Sequence, residues 1–312
     1  MIYRSFGRLG YQVSAVGMGC WNIGNQWGHM TDAEAGDIIK AALDGGVNLF
    51  DTAESYGDPH GISEIRVGNT IKSLGIARDK LFFVSKIGSW GFRQGEQLPN
   101  KTPDSIRLSG HAICGRLKTD YIDVLLCHKA TIEDPSAFIE GFDALEREGF
   151  IRSYGISTNS LEVLKRFYDM SGGKCAVLEA DYSLINKQPE EELLPFCQEH
   201  GIAVLVRGPL AQGILSGRFT ESTVFKDDVR SKWNEGQPGR QDFLDKLALA
   251  REAEKTVNSF GGCIPLAEAA IRYTISHPAA PVAIPGMTSP QQARQNAAVG
   301  DELFAEKEWA KL

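Results

Sequence analysis

The sequence predicts an α/β fold, a (β/α)8 barrel with an N-terminal β-hairpin closing one end, as a single domain over residues 1–312. Three observations predict it. Amphipathic helices that stop at a glycine and run straight into β-branched or aromatic stretches recur along the chain, which is the grammar of βαβ crossovers and a parallel sheet. Seven parallel strands are readable in a length that suits a barrel of about 250 residues plus insertions. A doubly wound dinucleotide fold would carry G-x-G-x-x-G after its first strand, whereas Thr52-Ala53-Glu54-Ser55-Tyr56 stands there.

Taken in order, "YRSFG-RLG-YQVSAVG" reads as a hairpin within the first twenty residues. "TDAEAGDIIKAALDGG" opens with a capping box, Thr31 and Glu34. Ile38, Ile39, Ala42 and Leu43 form its apolar face, and Gly45-Gly46 stop it. Strands are expected at 47–51, 81–86, 122–128, 152–157, 176–182, 202–207 and 281–285. "FDALEREGFIRSYGIS" and "EEELLPFCQEHGIAVLVRG" repeat the helix–glycine–strand unit. An eighth strand is expected between Arg207 and Pro281, where the sequence otherwise reads as a long loop and two helices. No linker, low-complexity tract or repeat divides the chain.

Charge narrows the function. Lys and Arg number 33 against 40 Asp and Glu, a net charge of −7, which disfavours nucleic acid and anionic membranes as partners. No apolar run approaches a membrane span, and "MIYRSFGRLG" lacks a signal-peptide core, which reads as a cytoplasmic protein. Cys20, Cys114, Cys127, Cys175, Cys197 and Cys263 include no C-x-x-C pair and read as reduced thiols. Six histidines without metal-ligand spacing predict no metal.

Chemistry concentrates at strand ends. Asp51, Lys86 and His128 finish three early strands, and Ser157, Asp181 and Arg207 finish others; in a barrel such residues converge on one mouth. Tyr56 lies five residues past Asp51 in "FDTAESYG". A phenol titrates near pH 10, too high for easy proton donation, and a neighbouring ammonium lowers it. A carboxylate keeps that ammonium charged and aimed, and an imidazole can fix a carbonyl oxygen. Asp51, Tyr56, Lys86 and His128 thus make a proton-donating device suited to carbonyl reduction. No side chain donates hydride, so a nicotinamide has to. A Schiff-base aldolase with Lys86 as nucleophile needs a neutral lysine, which Asp51 disfavours.

The chain resembles the aldo-keto reductase family from the hairpin almost to the C-terminus. Its landmarks stand as "GMGCW" at 17–21, "FDTAESYG" at 50–57, "FVSK" at 83–86, "LLCH" at 125–128, "GIST" at 155–158, "GPLAQGILSGRF" at 208–219 and "IPGMTSPQQARQN" at 284–296. The resemblance implies a catalytic tetrad of Asp51, Tyr56, Lys86 and His128, with Tyr56 as general acid, and NADP or NAD as cofactor, bound extended. It assigns Cys20, Trp21, Asp51, Ser157, Thr158 and Glu179 to the nicotinamide end. It assigns Arg207 to the nicotinamide as well, and Gly208, Leu210, Gly213, Leu215 and Arg218 to the loop at the pyrophosphate. Gly286, Thr288, Gln292, Gln295 and Asn296 fall at the adenosine end. A cofactor-binding sensor or subunit, as in the channel-associated members of the family, is the alternative.

Three positions depart from the family pattern. Thr158 stands where many members have Asn, Glu179 where many have Gln, and Arg207 where many have an aromatic ring on the nicotinamide. Glutamate accepts from an amide NH2 but donates to its carbonyl only when protonated. "SPQQ" reads as a capping box at a helix start that would face the adenosine phosphate: Ser289 at the N-cap, Pro290 at the first position and Gln292 at the third. Only Arg294 is basic nearby, which predicts measurable use of NAD(H). Asn25, Gln26, His29 and His60 near the mouth point to a polar, sugar-like carbonyl substrate. Trp21 reads as lining the nicotinamide end, while Trp27, Trp90 and Trp233 divide between rim and core. Cys127, His111 and His200 read as structural.

Overall fold

The structure is a computed structural model describing residues 1–88, 92–93, 96–97, 102–260 and 264–312. Trp90 and Cys263 lie outside the described residues. Tyr3–Ser5 (β1) pairs antiparallel with Gln12–Ser14 (β2), the expected hairpin. Eight parallel strands then follow in one sheet: Met18–Gly19 (β3), Leu49–Asp51 (β4), Phe82–Ile87 (β5), Ile122–Cys127 (β6), Ile151–Ser157 (β7), Val177–Asp181 (β8), Ala203–Arg207 (β9) and Val282–Ala283 (β10). Their order around the sheet is their order in sequence. Parallel bridges from Val16 to Ala283 and from Gly19 to Gly286 join the first strand to the last and close the barrel. The Gly17 N–H donates to Ala283 O at 2.8 Å across that seam.

The eighth strand is therefore β3, ahead of the other seven, and not between Arg207 and Pro281. That interval holds the helices Arg240–Asn258 and Leu266–Ser276, the two expected ones. The reason is steric. A Cβ on Gly19 would sit 2.5 Å from Ile284 O, and one on Gly17 would sit 2.8 Å from Leu49 Cδ2. The seam demands glycine, and glycine-rich segments do not look like strands.

Alternation along each strand sorts the side chains. Leu49, Val84, Val124, Leu126, Val177, Leu205 and Val282 fill the interior, together with Phe6 and Val13 of the hairpin. Phe6 meets Phe82 edge-on at 5.1 Å, so the hairpin plugs the N-terminal end. Phe50, Phe83, Leu125, Ile156 and Leu178 face the surrounding helices. Asp32–Asp44 (α1) carries the predicted Thr31–Glu34 capping box and ends at Gly45. With the bottom plugged, polar strand ends can meet solvent only at the top.

Candidate active site

Lys86, one residue from the end of β5, is the hub at that top. Its Nζ donates to both Asp51 carboxylate oxygens at 2.6 Å, to Thr52 O at 2.9 Å and to Tyr56 Oη at 3.3 Å. Glu179 Oε2 of β8 is 3.2 Å away. Asp51 ends β4, and the chain turns back immediately: Tyr56 N–H bonds Ala53 O at 3.0 Å. Gly57 follows at φ 125°, where a Cβ would collide with Ile62 at 2.2 Å. Glycine at 57 therefore lets the loop fold tightly enough to aim Tyr56 over Lys86. His128, one residue past β6, is tethered by its N–H to Ile87 O at 2.7 Å. Its ring stands 6.0 Å from that of Tyr56, edge to face.

Burial sets the electrostatics. Lys86 is 0% exposed, Asp51 3% and Glu179 1%. Burial disfavours the Lys86 ammonium, but Asp51 and then Glu179 more than offset it and hold the pKa above the ordinary lysine range. A lysine sealed and kept charged is not a Schiff-base nucleophile. Burial raises Asp51 well above its usual range, and the charge of Glu179 adds to the rise while Lys86 opposes it. Tyr56 differs from the sequence-based expectation. Lys86 does pull its pKa down, but burial and the charges of Asp51 and Glu179 leave it above 10. It is a phenol at neutral pH. Burial, with the charges of Lys86, Arg207 and Lys129, pushes His128 down to about 3, so the imidazole is neutral.

Above this centre runs an elongated cleft of about 1630 Å³. Trp21, Asp51, Tyr56, His128, Ser157, Glu179, Arg207, Gly208, Leu210, Gly213 and Arg218 line it, as do Gly286, Thr288, Gln292, Gln295 and Asn296 toward the start of the helix Pro290–Val299. Three residues assigned from sequence sit elsewhere. Cys20 is buried behind Asp51, to whose carbonyl its N–H donates at 2.8 Å. Thr158 is spent inside the wall on Ala130 O. Leu215 is fully buried in the core. Asn159, unremarked in the sequence, accepts from Arg207 Nη2 at 3.1 Å and so steers that guanidinium at the cleft edge.

The adenosine end departs in detail from the predicted capping box. Ser289 accepts from the Gln292 N–H, but Gln292 Oε1 reaches back to the N–H and Oγ1 of Thr288 instead of the N-cap. At the rim, Trp27 packs edge-on to Trp21 at 5.1 Å. Arg230, carried on the long segment after β9, lies 4.0 Å over the Trp27 ring and pairs with Asp227. Sequence alone gave no signal for this clasp. Trp233 is core, stacked on Phe243. His29 lines the cleft, Asn25 and Gln26 line a smaller depression beside it, and His60 bonds Gly57 O at 2.9 Å. Cys127 is a packed strand thiol, raised by burial to about 12.

The cleft fits an extended dinucleotide. Gly208 at φ 69° and Gly286 leave the wall bare where a Cβ would crowd Asp181 at 2.5 Å and Asn22 at 2.4 Å. Its far end presents the capped N-terminus of a ten-residue helix, a natural anion site.

Comparison with known proteins agrees. Residues 15–312 match the model of the Aldo/keto reductase family. The aldo-keto reductase YhdN of Bacillus subtilis is 30% identical over 305 residues, covering 94% of this chain and 86% of that protein. The holo form of aldo-keto reductase AKR11C1 from Bacillus halodurans superposes with a TM-score of 0.80 at 29% identity, covering 100% and 95% of the two chains. An aldo/keto reductase from Klebsiella pneumoniae in complex with NADP and acetate gives 0.73 at 27% identity, covering 99% and 93%. A barrel mouth built around a Lys86-centred tetrad, under a cleft shaped for a dinucleotide, therefore has its full context: the chain belongs to the aldo/keto reductase family, an oxidoreductase whose cofactor is NADP or NAD.

Proposed function

We propose that the chain reduces the carbonyl of a small polar aldehyde, ketone or sugar to the alcohol, with Tyr56 as general acid. The observation that supports this best is Tyr56 Oη at the cleft floor, 3.3 Å from the Lys86 ammonium. A dihydronicotinamide held in the cleft beside Ser157, Glu179 and Arg207 would supply the hydride for the carbonyl carbon. Tyr56 gives its proton to the carbonyl oxygen, and the neutral His128 holds that oxygen by a hydrogen bond. The phenolate left behind is stabilised by Lys86 until solvent returns the proton. Because Tyr56 stays protonated at neutral pH, it is ready to donate. Alcohol oxidation needs it as a base, so that direction gains as pH rises. His29 and the Trp21–Trp27 pair at the rim suit a substrate with hydroxyl groups and an apolar face.

We further propose that NAD(H) is used measurably, without strong discrimination for NADP(H). A 2′-phosphate is best held by Lys or an Arg fork. Between Ile284 and Asn296 no basic side chain lines the cleft; Arg294 is exposed outside it. The helix N-terminus adds about 0.3–1 kcal/mol toward an anion, less than the roughly 1.4 kcal/mol of a tenfold preference.

Tyr56→Phe tests the central assignment. Nicotinamide oxidation with a panel of aldehydes, ketones and sugars should fall below detection, while cofactor still binds by fluorescence titration. Wild-type-like turnover in that variant removes Tyr56 from the role.

A further inference from the structure

Lys86 has one positive charge and two buried carboxyl groups. Asp51 takes its hydrogen bonds at 2.6 Å, and Glu179 Oε2 lies 3.2 Å from the same nitrogen. Glu179 Oε2 is sealed from solvent, and no donor among the described residues makes a hydrogen bond to it; the Lys86 ammonium approaches it only as an ion pair. The Asp51 and Glu179 side chains also meet each other, an approach that two ionised carboxylates avoid.

Lys86 on β5 is +1. His128 at the end of β6 is neutral at working pH. Tyr56, on the turn after β4, is a phenol, and Cys20 after β3 is a buried thiol held protonated. Ser157 at the end of β7 does not titrate in this range. Arg207 on β9 is at the cleft edge, where it bonds Asn159 and is largely solvated. Two ionised carboxylates would leave the sealed centre at −1, with the second charge buried and unpaired. An unpaired buried charge takes up a proton before it accepts that cost.

We propose that Asp51 and Glu179 hold one proton between them at neutral pH, so that the catalytic centre of this chain is a five-membered, charge-neutral unit in which Glu179 is a positioning residue. The proton fills the gap at Glu179 Oε2 and turns a repulsion into a carboxyl–carboxylate hydrogen bond. It belongs to the pair and not to either residue. Its consequence lies in the charge next to Tyr56: as the proton is lost at high pH, a second negative charge beside Lys86 weakens the ammonium's pull on the phenol.

The proposal concerns the centre to which carbonyl reduction is assigned above, but its test needs neither cofactor nor substrate. Infrared spectroscopy of the unliganded chain at about pH 8 should show the C=O stretch of a protonated carboxylic acid, shifted in heavy water. At that pH Glu64, a buried carboxyl that burial raises to about 6, is ionised. The band should be absent from both Glu179→Gln and Asp51→Asn, because Lys86 then faces a single carboxyl group and holds it ionised. A wild-type spectrum without the band overturns the proposal, as does its persistence in either variant. Because the band is sought first in the wild type, a variant that fails to fold does not protect the proposal. A missing band leaves carbonyl reduction standing, and missing turnover leaves the shared proton standing.

Discussion

Lys86→Met removes the one cation that touches every acidic member of the centre. Methionine is similar in length and can fill the space, so the loss is electrostatic. Five contacts disappear: two to Asp51, one each to Thr52 O and Tyr56, and the approach to Glu179. Breaking a buried ion pair by deleting one partner costs about 3–5 kcal/mol, against a whole-protein stability on the order of 5–15 kcal/mol. Part of that is recovered by protonating the carboxyls, which gives the effect a sign. Without Lys86 the folded-state pKa of Asp51 rises further above its unfolded value of about 4. The folded chain then binds protons that the unfolded chain does not, so the variant gains stability as pH falls and loses it as pH rises through the folded value. The stability deficit against wild type should be larger at pH 8 than at pH 5 in urea unfolding followed by circular dichroism. Wild-type Lys86 adds no slope of its own there: its raised pKa gives stability that is present below the unfolded value of about 10.4 and lost only above it. Turnover should drop by about a hundredfold or more, roughly 2.7 kcal/mol of transition-state stabilisation. An unfolding midpoint equal to wild type at pH 8, or a deficit that grows toward acid, would refute the reasoning.

Three further outcomes are expected. Thr288→Arg should move the ratio of kcat/KM for NADPH over NADH up by about tenfold or more, the worth of one charged contact; a wild-type preference of a thousandfold that the substitution leaves untouched would mean that the phosphate is held elsewhere. Gly155→Ala should destabilise by about 3 kcal/mol or more, at the upper end of overpacking, because a Cβ there would lie 1.8 Å from Val177 O; an unchanged melting temperature would show that β7 and β8 separate cheaply. His128, held at about 3 in the fold against about 6.5 unfolded, contributes stability that is fully present above pH 6.5 and is lost as pH falls, about 2 kcal/mol by pH 5; His128→Asn should flatten that stretch of the stability profile, and parallel profiles would contradict it.

How far these features could be read from the sequence depends on how locally each is encoded. Asp51 and Tyr56 sit in one eight-residue stretch, and a strand end followed by a tight turn is visible as text. Lys86 and His128 were legible because a barrel brings all strand ends to one rim, so order along the chain becomes proximity in space. β3 was not legible, because the seam that makes it a strand also strips it of the β-branched residues by which strands are recognised. Thr158 and Leu215 carry landmark positions, but their orientation depends on a single rotation of the wall, and both face away from the cleft. Arg230 over Trp27 joins segments about two hundred residues apart through an aperiodic loop, and no window of sequence contains it.

Glu179 shows the limit most sharply. As text it is one carboxylate standing where many relatives have an amide, a change that bears on hydrogen bonding to the cofactor. In the fold it is a second acid on a lysine that already has one, at 3.2 Å and almost fully buried. The amide would have left Lys86 and Asp51 balanced. The carboxylate makes the centre odd in charge, and a proton is the cheapest way to make it even. A substitution that looks like a small alteration in the cofactor wall thus acts on the acid–base core. It does so because β4 and β8 each aim a carboxyl group at the one Lys86 nitrogen carried by β5, a convergence that closing the barrel creates and that sequence order does not display.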